Sequence, residues 1–591
     1  MPSPFVPATQ PISAITPFWP VLATLAIGMP MLLAFNQPPS STFLNQAVAL
    51  VGWGGWLAVL ATALGRAPRD LPAGLLTLQA ALFVLLAAAL VSPLWAGLPW
   101  SLSLSAAGMI AAAMLVVQAG ARAQHDGFAR PAFRAFCIGL VVAGAFSSAI
   151  GLVQVFAPSW PDGNWIARSY IAGRAVGNMR QPNHLSSLLL WAIVAVVWLG
   201  EARVLRRWAV NPLALLFIFV VVLSASRTGA LSMLLLTVWA LLDRRLSRPA
   251  RWLLGLAPLI YFVFWYGTGV WAAASHHVFG GETRFNTQGD VSSSRLGIWS
   301  NTLALIRMHP WTGVGFGEFN FAWTLTPFPD RPVAFFDHTH NLPLHFLVEL
   351  GIPLGLAVLG LILHALWVAW RAARAAAPAD AAPGEALLRP AAFAMVLLIL
   401  VHSLLEYPLW YAYYLLPAAF VFGLCLAAPP PAARPAREGH ARALLVGSVA
   451  LMLGGVLSVV DYTRVVAIFA PGDKAPSLAQ RIVDGRESIF FSHHGDYAAA
   501  TTSAHPADVM PAFLGAPHYL LDARLLQAWA TALEQAGDTE HARYLAQRLR
   551  EFHNDQSAEF FAPCEAPPAP GTELPFQCLE PARQFRFEDF R

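Results

Sequence analysis

The sequence is poor in charged residues. Asp, Glu, Lys and Arg make up 12% of the 591 residues, against about 25% in an ordinary soluble domain. Lys474 is the only lysine, and the net charge of +4 is too small to indicate a nucleic-acid partner. Cysteine is also scarce, and four cysteines are too few for a fold held together by disulfides. These shortages exclude an ordinary soluble enzyme, a nucleic-acid-binding protein and a disordered scaffold.

Apolar sequence is abundant. Apolar residues make up 57% of the chain, and the mean hydropathy is +0.55. A transmembrane helix needs roughly 20 mostly apolar residues, and on that length the sequence predicts about thirteen spans. They lie near 18–36, 47–64, 72–92, 101–120, 135–156, 185–200, 209–225, 228–242, 252–274, 344–370, 390–405, 410–428 and 443–461. We therefore predict an all-α, multi-pass membrane protein.

Arginine is concentrated in alternate loops between these spans. The loops that carry it hold Arg66, Arg69, Arg122, Arg130, Arg134, Arg203, Arg206, Arg207, Arg244, Arg245, Arg248, Arg251, Arg371, Arg374, Arg389, Arg434, Arg437 and Arg442, whereas the loops 37–46 and 93–100 have no Lys or Arg. Short Arg-rich loops stay in the cytoplasm. The pattern predicts an inner N-terminus and an outer C-terminal tail, with the outer side being the periplasm in a Gram-negative bacterium. We expect no cleavable signal peptide, because no basic region precedes the first apolar run.

Three outer segments stand out in the sequence, namely the 157–184 loop, the 275–343 loop and the C-terminal tail. The sequence predicts a transmembrane domain over 1–461, including a large outer loop at 275–343, and a helical periplasmic C-terminal domain over 462–591. Apolar residues at helical spacing in 519–553 predict a helical hairpin that resembles one tetratricopeptide unit. Because the outer compartment is oxidising, we also hypothesise a disulfide between Cys564 and Cys578.

Four polar clusters fall on the predicted outer face, at or before spans that run inward. They occupy 173–184, 226–229, 337–341 and 402–408. Helix N-termini carry partial positive charge and bind anions, and arginine presents a planar fork to phosphate oxygens. The arginines that add to this charge are Arg174, Arg180, Arg227, Arg284 and Arg295. The clusters therefore predict a cationic funnel that suits the pyrophosphate of a lipid-linked donor.

His340 is the candidate general base. It precedes Asn341, a good helix N-cap, and imidazole has the ordinary pKa needed to take a proton from a hydroxyl near neutral pH. We interpret His338 as structural. A metal pair is an alternative for the two histidines, since Asp337 and His345 lie nearby, although the zinc patterns Cys-x-x-Cys and His-Glu-x-x-His are absent.

The other candidates also have structural interpretations. Gln181 can cap its own helix or bond to a neighbouring one, and Glu406 and Tyr407 can be anchors at the membrane interface. Arg180 and Arg284 can be solvated charges or contacts to lipid headgroups. The glycine-rich segment 313–317 lacks the Lys-Ser/Thr sequel of a phosphate loop and is interpreted as a turn.

The motifs between about residues 165 and 425 carry a resemblance to a known family. They read Gly173-Arg174-x-x-Gly177-Asn178-x-x-Gln181-Pro182-Asn183, Ser226-Arg227-Thr228-Gly229, His338-Thr339-His340-Asn341 with Glu349-Leu350-Gly351, and His402-Ser403-x-x-Glu406-Tyr407-Pro408. Together they resemble bacterial O-linked protein oligosaccharyltransferases, a branch of the superfamily of O-antigen ligases and O-antigen polymerases. The polar tail is also similar to that branch.

The resemblance implies a GT-C-like fold and an inverting glycosyltransferase of the bacterial inner membrane that needs no metal or cofactor. Its partners would be an oligosaccharide on undecaprenyl pyrophosphate and a periplasmic or pilin-like protein with a Ser or Thr acceptor. His340 would activate the acceptor hydroxyl, and Arg227 and Arg295 would bind the pyrophosphate. The remaining candidates are Gln181 and Tyr407 as catalytic residues, Arg174 and Arg180 as donor ligands, and Asn183, Asn341, His338 and Glu406 in support.

Two alternative functions remain open. A ligase that moves O-antigen to the lipid A core, or a polymerase that extends O-antigen, would use the same chemistry with another acceptor. A transporter of lipid-linked sugars is a different class, but transporters tend to bind near the bilayer midplane between repeated halves. The sequence has no duplicated halves, and its polar clusters lie on one face.

Overall fold

The structure is a computed structural model that describes residues 18–65, 72–281, 291–329, 331–376, 382–428, 441–565 and 573–591. Helix is the only regular secondary structure in these ranges. Arg66, Arg69, Arg284, Arg434 and Arg437 lie outside the described residues, so the expectations that rest on them stay predictions.

Every predicted span contains an apolar helix. The helices from the N-terminus through the last predicted span are α1 (Trp19–Leu32), α2 (Phe43–Ala63), α3 (Ala73–Trp95), α4 (Trp100–His125), α5 (Ala129–Phe156), α6 (Pro182–Glu201), α7 (Arg207–Leu223), α8 (Arg227–Leu242), α9 (Arg248–Gly255), α10 (Ala257–Ser275), α11 (Val291–Met308), α12 (Phe319–Leu325), α13 (Leu342–Arg374), α14 (Glu385–Ser403), α15 (Ala412–Leu426) and α16 (Arg442–Phe469). Within the described ranges, nine helices are long and apolar enough to cross a membrane, and α1, α7, α8 and α15 are shorter apolar helices. The chain is thus an all-α, multi-pass membrane protein.

The span predicted at 252–274 needs a correction. Two helices cover it, because α9 ends at Gly255 and α10 starts at Ala257. Pro258 stands in the first turn of α10, where a proline is tolerated because that turn has no intrahelical N–H bonds to lose. The same residue would break a bond inside one continuous helix.

Helix α6 forms the centre of the bundle. Every residue from Pro182 to Leu199 is buried, and the helix packs against α5, α7, α8 and α14. A helix that is apolar on all sides is stable only when it is surrounded by protein or lipid. Burial of α6 holds its N-terminal residues, which belong to the first polar cluster, in a fixed position.

Helix α13 is broken near its N-terminal end. Gly351 has φ +75°, and a Cβ there would collide with the backbone carbonyl of Trp311. The glycine-rich turn packs against this break, since Gly315 N donates to Glu349 O at 3.1 Å and Ile352 N donates to Pro310 O at 2.8 Å. The interpretation of 313–317 as a turn is confirmed.

The tail is helical, and its first part continues the last apolar helix. Helix α16 runs to Phe469, past the boundary expected at residue 461. The helices that follow are α17 (Leu478–Arg486), α18 (Ser492–Thr502), α19 (Ala516–Tyr519), α20 (Ala523–Gln535), α21 (Thr539–Arg550) and α22 (Ala558–Glu565). Helices α20 and α21 form the predicted hairpin, and the hypothesised bond between Cys564 and Cys578 is present.

The tail shares one hydrophobic core with the outer loop. Buried charges cross the interface between them. Nδ1 of His518 lies 2.8 Å from the Glu318 carboxylate, and Arg331 pairs with Glu551 at 2.9 Å. Glu551 also pairs with Arg548 at 2.8 Å within the tail. The loop and the tail therefore pack as one unit, although the sequence analysis assigned them to different domains.

Candidate active site

Three of the polar clusters supply helix N-caps. Oε1 of Gln181 accepts from His184 N at 2.9 Å at the start of α6. Oγ of Ser226 accepts from Gly229 N at 2.9 Å at the start of α8, and Oδ1 of Asn341 accepts from Leu344 N at 3.1 Å at the start of α13. Such caps satisfy backbone N–H groups that the first helical turn leaves free. Gln181 thus has the capping position that its structural interpretation expected.

The carboxylate of Glu406 joins three of the predicted site residues. It forms an ion pair with Arg295, and Oε1 accepts from Nδ2 of Asn183 at 2.9 Å. Oε2 lies 3.5 Å from Nε2 of His340. Glu406 is 9% exposed, and a buried carboxylate is stable only when such partners compensate its charge. Residues from α6, α11 and two loops therefore meet at one buried group.

A second set of hydrogen bonds connects this carboxylate to the start of α8. Oγ of Ser226 donates to Oδ1 of Asn183 at 2.6 Å, and Oγ of Ser186 donates to Oγ of Ser226 at 3.0 Å. Arg227, the first residue of α8, is exposed beside this network. The motifs of Arg227 and His340 consequently lie on the same side of the bundle.

His340 has a constrained backbone and a defined ring orientation. Its φ is +55°, a left-handed conformation that costs a residue other than glycine about 1–2 kcal/mol. Nδ1 lies 3.0 Å from the carbonyl oxygen of His338. A carbonyl only accepts, so Nδ1 carries the hydrogen and Nε2 is the basic nitrogen that faces Glu406. Burial lowers the pKa of His340 and Glu406 raises it, with a net decrease, so the ring is neutral near pH 7.

Tyr407 lies between the two histidines of the motif. Its ring is parallel to that of His338, with 4.4 Å between the centroids, and perpendicular to that of His340 at 5.0 Å. His338 also pairs with Asp337 at 3.0 Å and packs edge-on against Trp410. Burial raises the pKa of Tyr407, so its phenol stays protonated at physiological pH. The aromatic ring thus orients both imidazoles.

Arg174 and Arg180, which the sequence predicts as donor ligands, each donate to backbone carbonyls. Arg174 is 8% exposed, and its Nε donates to the Ser224 carbonyl at 2.9 Å in the turn before α8. Arg180 donates to the carbonyls of Ser41 and Gly163 at 3.1 and 3.4 Å. Both guanidinium groups brace outer turns, because unpaired carbonyls in irregular segments need donors.

Trp299 and Asn320 were missed by the sequence analysis. Nε1 of Trp299 donates to the Thr339 carbonyl at 2.9 Å, and Nδ2 of Asn320 donates to the Phe336 carbonyl at 2.8 Å. Both side chains therefore hold the backbone that precedes His340. Neither residue stands in a motif, so its role depends on contacts that span the outer loop.

The histidines His338 and His340 were also considered as a metal pair. In the part of the chain that the structure describes, His, Cys, Asp and Glu side chains form no group of three or more arranged to hold a metal ion. His338 and His340 instead have their separate partners in Asp337 and Glu406.

Comparisons with known families match three regions of the chain, each of which contains a residue of the site. Residues 175–199 match a family model described as protein glycosylation ligase, and residues 212–359 match one described as O-antigen ligase. Residues 390–563 match the C-terminal part of a virulence factor membrane-bound polymerase. The matched regions contain Asn183, His340 and Glu406, respectively.

Two curated relatives come from Acinetobacter baylyi. The chain is 29% identical over 285 residues to a general O-oligosaccharyltransferase, over 44% of each chain. The chain is homologous to O-oligosaccharyltransferases. It is also 28% identical over 256 residues to a ComP-specific O-oligosaccharyltransferase, over 42% of this chain and 44% of that protein. The match to these O-oligosaccharyltransferases thus spans less than half of their length.

Proposed function

We propose that this chain is an O-linked protein oligosaccharyltransferase. It moves a preassembled glycan en bloc from undecaprenyl pyrophosphate to a Ser or Thr hydroxyl of a periplasmic or pilin-like protein. The convergence of His340, Arg295 and Asn183 on Glu406, in a chain homologous to O-oligosaccharyltransferases, is the observation that carries the proposal.

In the proposed reaction, Nε2 of His340 takes the proton of the acceptor hydroxyl. The oxygen attacks the anomeric carbon of the first sugar from the side opposite the pyrophosphate, so the new glycosidic bond forms with inversion. The bond from that carbon to the pyrophosphate oxygen breaks, and its electron pair leaves with undecaprenyl pyrophosphate. Glu406, 3.5 Å from Nε2, stabilises the imidazolium that forms, because a carboxylate favours the charged ring.

In the proposed reaction, the arginines stabilise the leaving pyrophosphate. Negative charge develops on the departing pyrophosphate, and preoriented cations at that point lower the barrier most. Arg295 is oriented by its ion pair with Glu406, and Arg227 is the first residue of α8. Because these cations supply the positive charge, we propose that the reaction needs neither a metal ion nor a cofactor.

The location of the site follows from the topology we propose. Helices α6, α8 and α13 begin near the site with their caps, and the Arg-rich loops predicted at their other ends stay in the cytoplasm. We therefore assign the site to the periplasmic face of a bacterial inner membrane. The pyrophosphate of a lipid-linked donor would lie at the membrane–water interface on that face.

The test is transfer by the purified protein, with undecaprenyl-pyrophosphate-linked oligosaccharide and a pilin-like acceptor that contains serine. We expect His340→Ala to lower the rate by about 10²–10⁴-fold, the usual contribution of a general base. His364→Ala is the matched control, because His364 is exposed on α13, the helix that begins just after His340, and bonds to Thr77. Wild-type activity should survive a chelator. Equal activity of the two variants would remove His340 from the mechanism, and loss of activity with the chelator would contradict metal independence.

An O-antigen ligase or polymerase is the second candidate. The match of 212–359 to the O-antigen ligase model and of 390–563 to the polymerase model favours it. The same donor is then offered with lipid A core or with a second lipid-linked O-antigen in place of the protein. Transfer to either of these and not to the protein would replace the proposed acceptor. Movement of donor across liposomes without bond cleavage would instead support a transporter.

A further inference from the structure

We propose that Asn320 is a positioning residue, through which the C-terminal tail holds His340 in its reactive orientation. The inference rests on the proposed function, because it takes His340 to be the base. It adds that the tail helps to orient the proposed base.

The side-chain amide of Asn320 bonds to the tail with one end and to the histidine segment with the other. Oδ1 accepts from Leu521 N at 3.0 Å, and Nδ2 donates to the Phe336 carbonyl at 2.8 Å. An N–H only donates and a carbonyl only accepts, so the two partners fix the orientation of the amide. The side chain is 3% exposed, and water does not compete for these bonds.

Phe336 passes this constraint on to His340. Its ring meets the imidazole edge to face, with the centroids 5.2 Å apart. His340 has a left-handed backbone, and such a conformation persists only when its surroundings over-determine it. Trp299 holds the Thr339 carbonyl, and Asn341 donates to the Leu404 carbonyl at 3.2 Å. Asn320 adds a bond whose other end is anchored in the tail.

The tail also fixes the short helix that carries Asn320. Glu318, just before α12, pairs with His518 in a fully buried contact. The ring of Phe321 stacks on that imidazole, with the centroids 4.5 Å apart and the planes at 9°. A shift of this part of the tail would therefore move α12, and with it the donor to the Phe336 carbonyl. Small displacements of a catalytic group have large kinetic effects.

Asn320→Asp is the decisive variant. A carboxylate still accepts from Leu521 N but cannot donate to the Phe336 carbonyl, so only the hydrogen bond to the segment before His340 is lost. Asn320→Ala removes both hydrogen bonds and avoids a buried charge. The matched control is Tyr544→Phe, because the Tyr544 hydroxyl lies 2.8 Å from the carbonyls of Leu325 and Phe585. It joins the tail to Leu325, the last residue of α12, and its substitution leaves the Asn320 side chain and the Phe336 carbonyl in place.

We expect Asn320→Asp and Asn320→Ala to lower kcat about tenfold with saturating donor and acceptor, with the acceptor KM changed less than about twofold. Tyr544→Phe should keep the wild-type kcat. Hydrogen exchange provides a measurement independent of activity: both Asn320 variants should accelerate amide exchange in 336–341, and Tyr544→Phe should not.

Several results would overturn the inference. They are wild-type kcat and exchange in both Asn320 variants, an increase in acceptor KM alone, or an equal loss of kcat in Tyr544→Phe. If the wild-type protein is active and His340→Ala is not, any of these results removes the role of Asn320 and leaves the proposed function standing. If the wild-type protein does not glycosylate the acceptor, the proposed function fails, and the exchange measurement still decides whether Asn320 holds the segment.

Discussion

The carboxylate of Glu406 lies 3.5 Å from Nε2 of His340 and is paired on its other oxygen with Arg295. A single side chain thus connects the proposed base to a proposed ligand of the leaving group. The carboxylate favours a proton on the imidazole, and the guanidinium balances the charge of the carboxylate. The proton affinity of His340 and the position of Arg295 are therefore coupled.

The first prediction concerns pH and the substitution Glu406→Gln. Burial lowers the pKa of His340 below its ordinary value of 6.5, and Glu406 raises it again in part. A base must be neutral, so activity is complete above this pKa and is lost as pH falls through it. Removing the carboxylate removes the largest of the interactions that raise the pKa of His340. The acid limb of kcat/KM against pH should therefore move to lower pH in Glu406→Gln, with a lower plateau.

The control for this profile is Glu487→Gln. Glu487 is an exposed residue paired with Arg464 in the tail, so its substitution should leave the acid limb in place. A limb that stays fixed or moves to higher pH in Glu406→Gln would show that Glu406 does not interact with the titrating group.

The second prediction separates the ring of Tyr407 from its hydroxyl. The ring contacts His338 and His340, and aromatic pairs of this kind are worth about 0.5–1.5 kcal/mol. Tyr407→Phe keeps both contacts and should retain most of the transfer rate, whereas Tyr407→Ala should lose at least about tenfold because both imidazoles become mobile. Initial rates of the two variants decide the matter. Equal losses would assign the function to the hydroxyl.

The third prediction compares two glycines of α13. Gly351→Ala places a methyl group against the Trp311 carbonyl in a left-handed conformation, which should cost at least about 2 kcal/mol. Gly360→Ala meets nothing within 4 Å and should stabilise the helix by about 0.5–1 kcal/mol. Thermal unfolding of the two variants in the same detergent measures the contrast. A similar Tm for both would mean that the break in α13 is not required.

The fourth prediction concerns the thiols. Cys564 and Cys578 form a disulfide, and Cys137 and Cys425 are free and buried. Alkylation of denatured, unreduced protein should therefore modify two of the four cysteines, and reduction should expose the other two. Mass spectrometry counts the adducts. Cys564→Ser should lower stability by up to about 3 kcal/mol, the value for a loop of about 15 residues, and four adducts without reduction would contradict the bond.

Local sequence predicted the helices and their starts well. The lengths of the apolar runs predicted where the helices lie, because lipid and protein interiors demand the same continuous apolar surface. Gln181 and Asn341 were recognisable at helix N-termini, since capping depends on neighbours within one turn. The hairpin of α20 and α21 was likewise predicted, because its helical periodicity is local.

The amino-acid sequence alone thus determined the class of the protein, its apolar helices and the polar motifs beside the N-termini of several of them. Tertiary structure decided that Glu406 is shared by Arg295, His340 and Asn183, that Arg174 braces a turn, and that the tail reaches the histidine segment through Asn320. The physical reason is the distance along the sequence over which each interaction acts. Hydrophobic period and helix capping act over a few residues, whereas the bond between Asn183 and Glu406 joins positions 223 residues apart and exists only after the helices have packed.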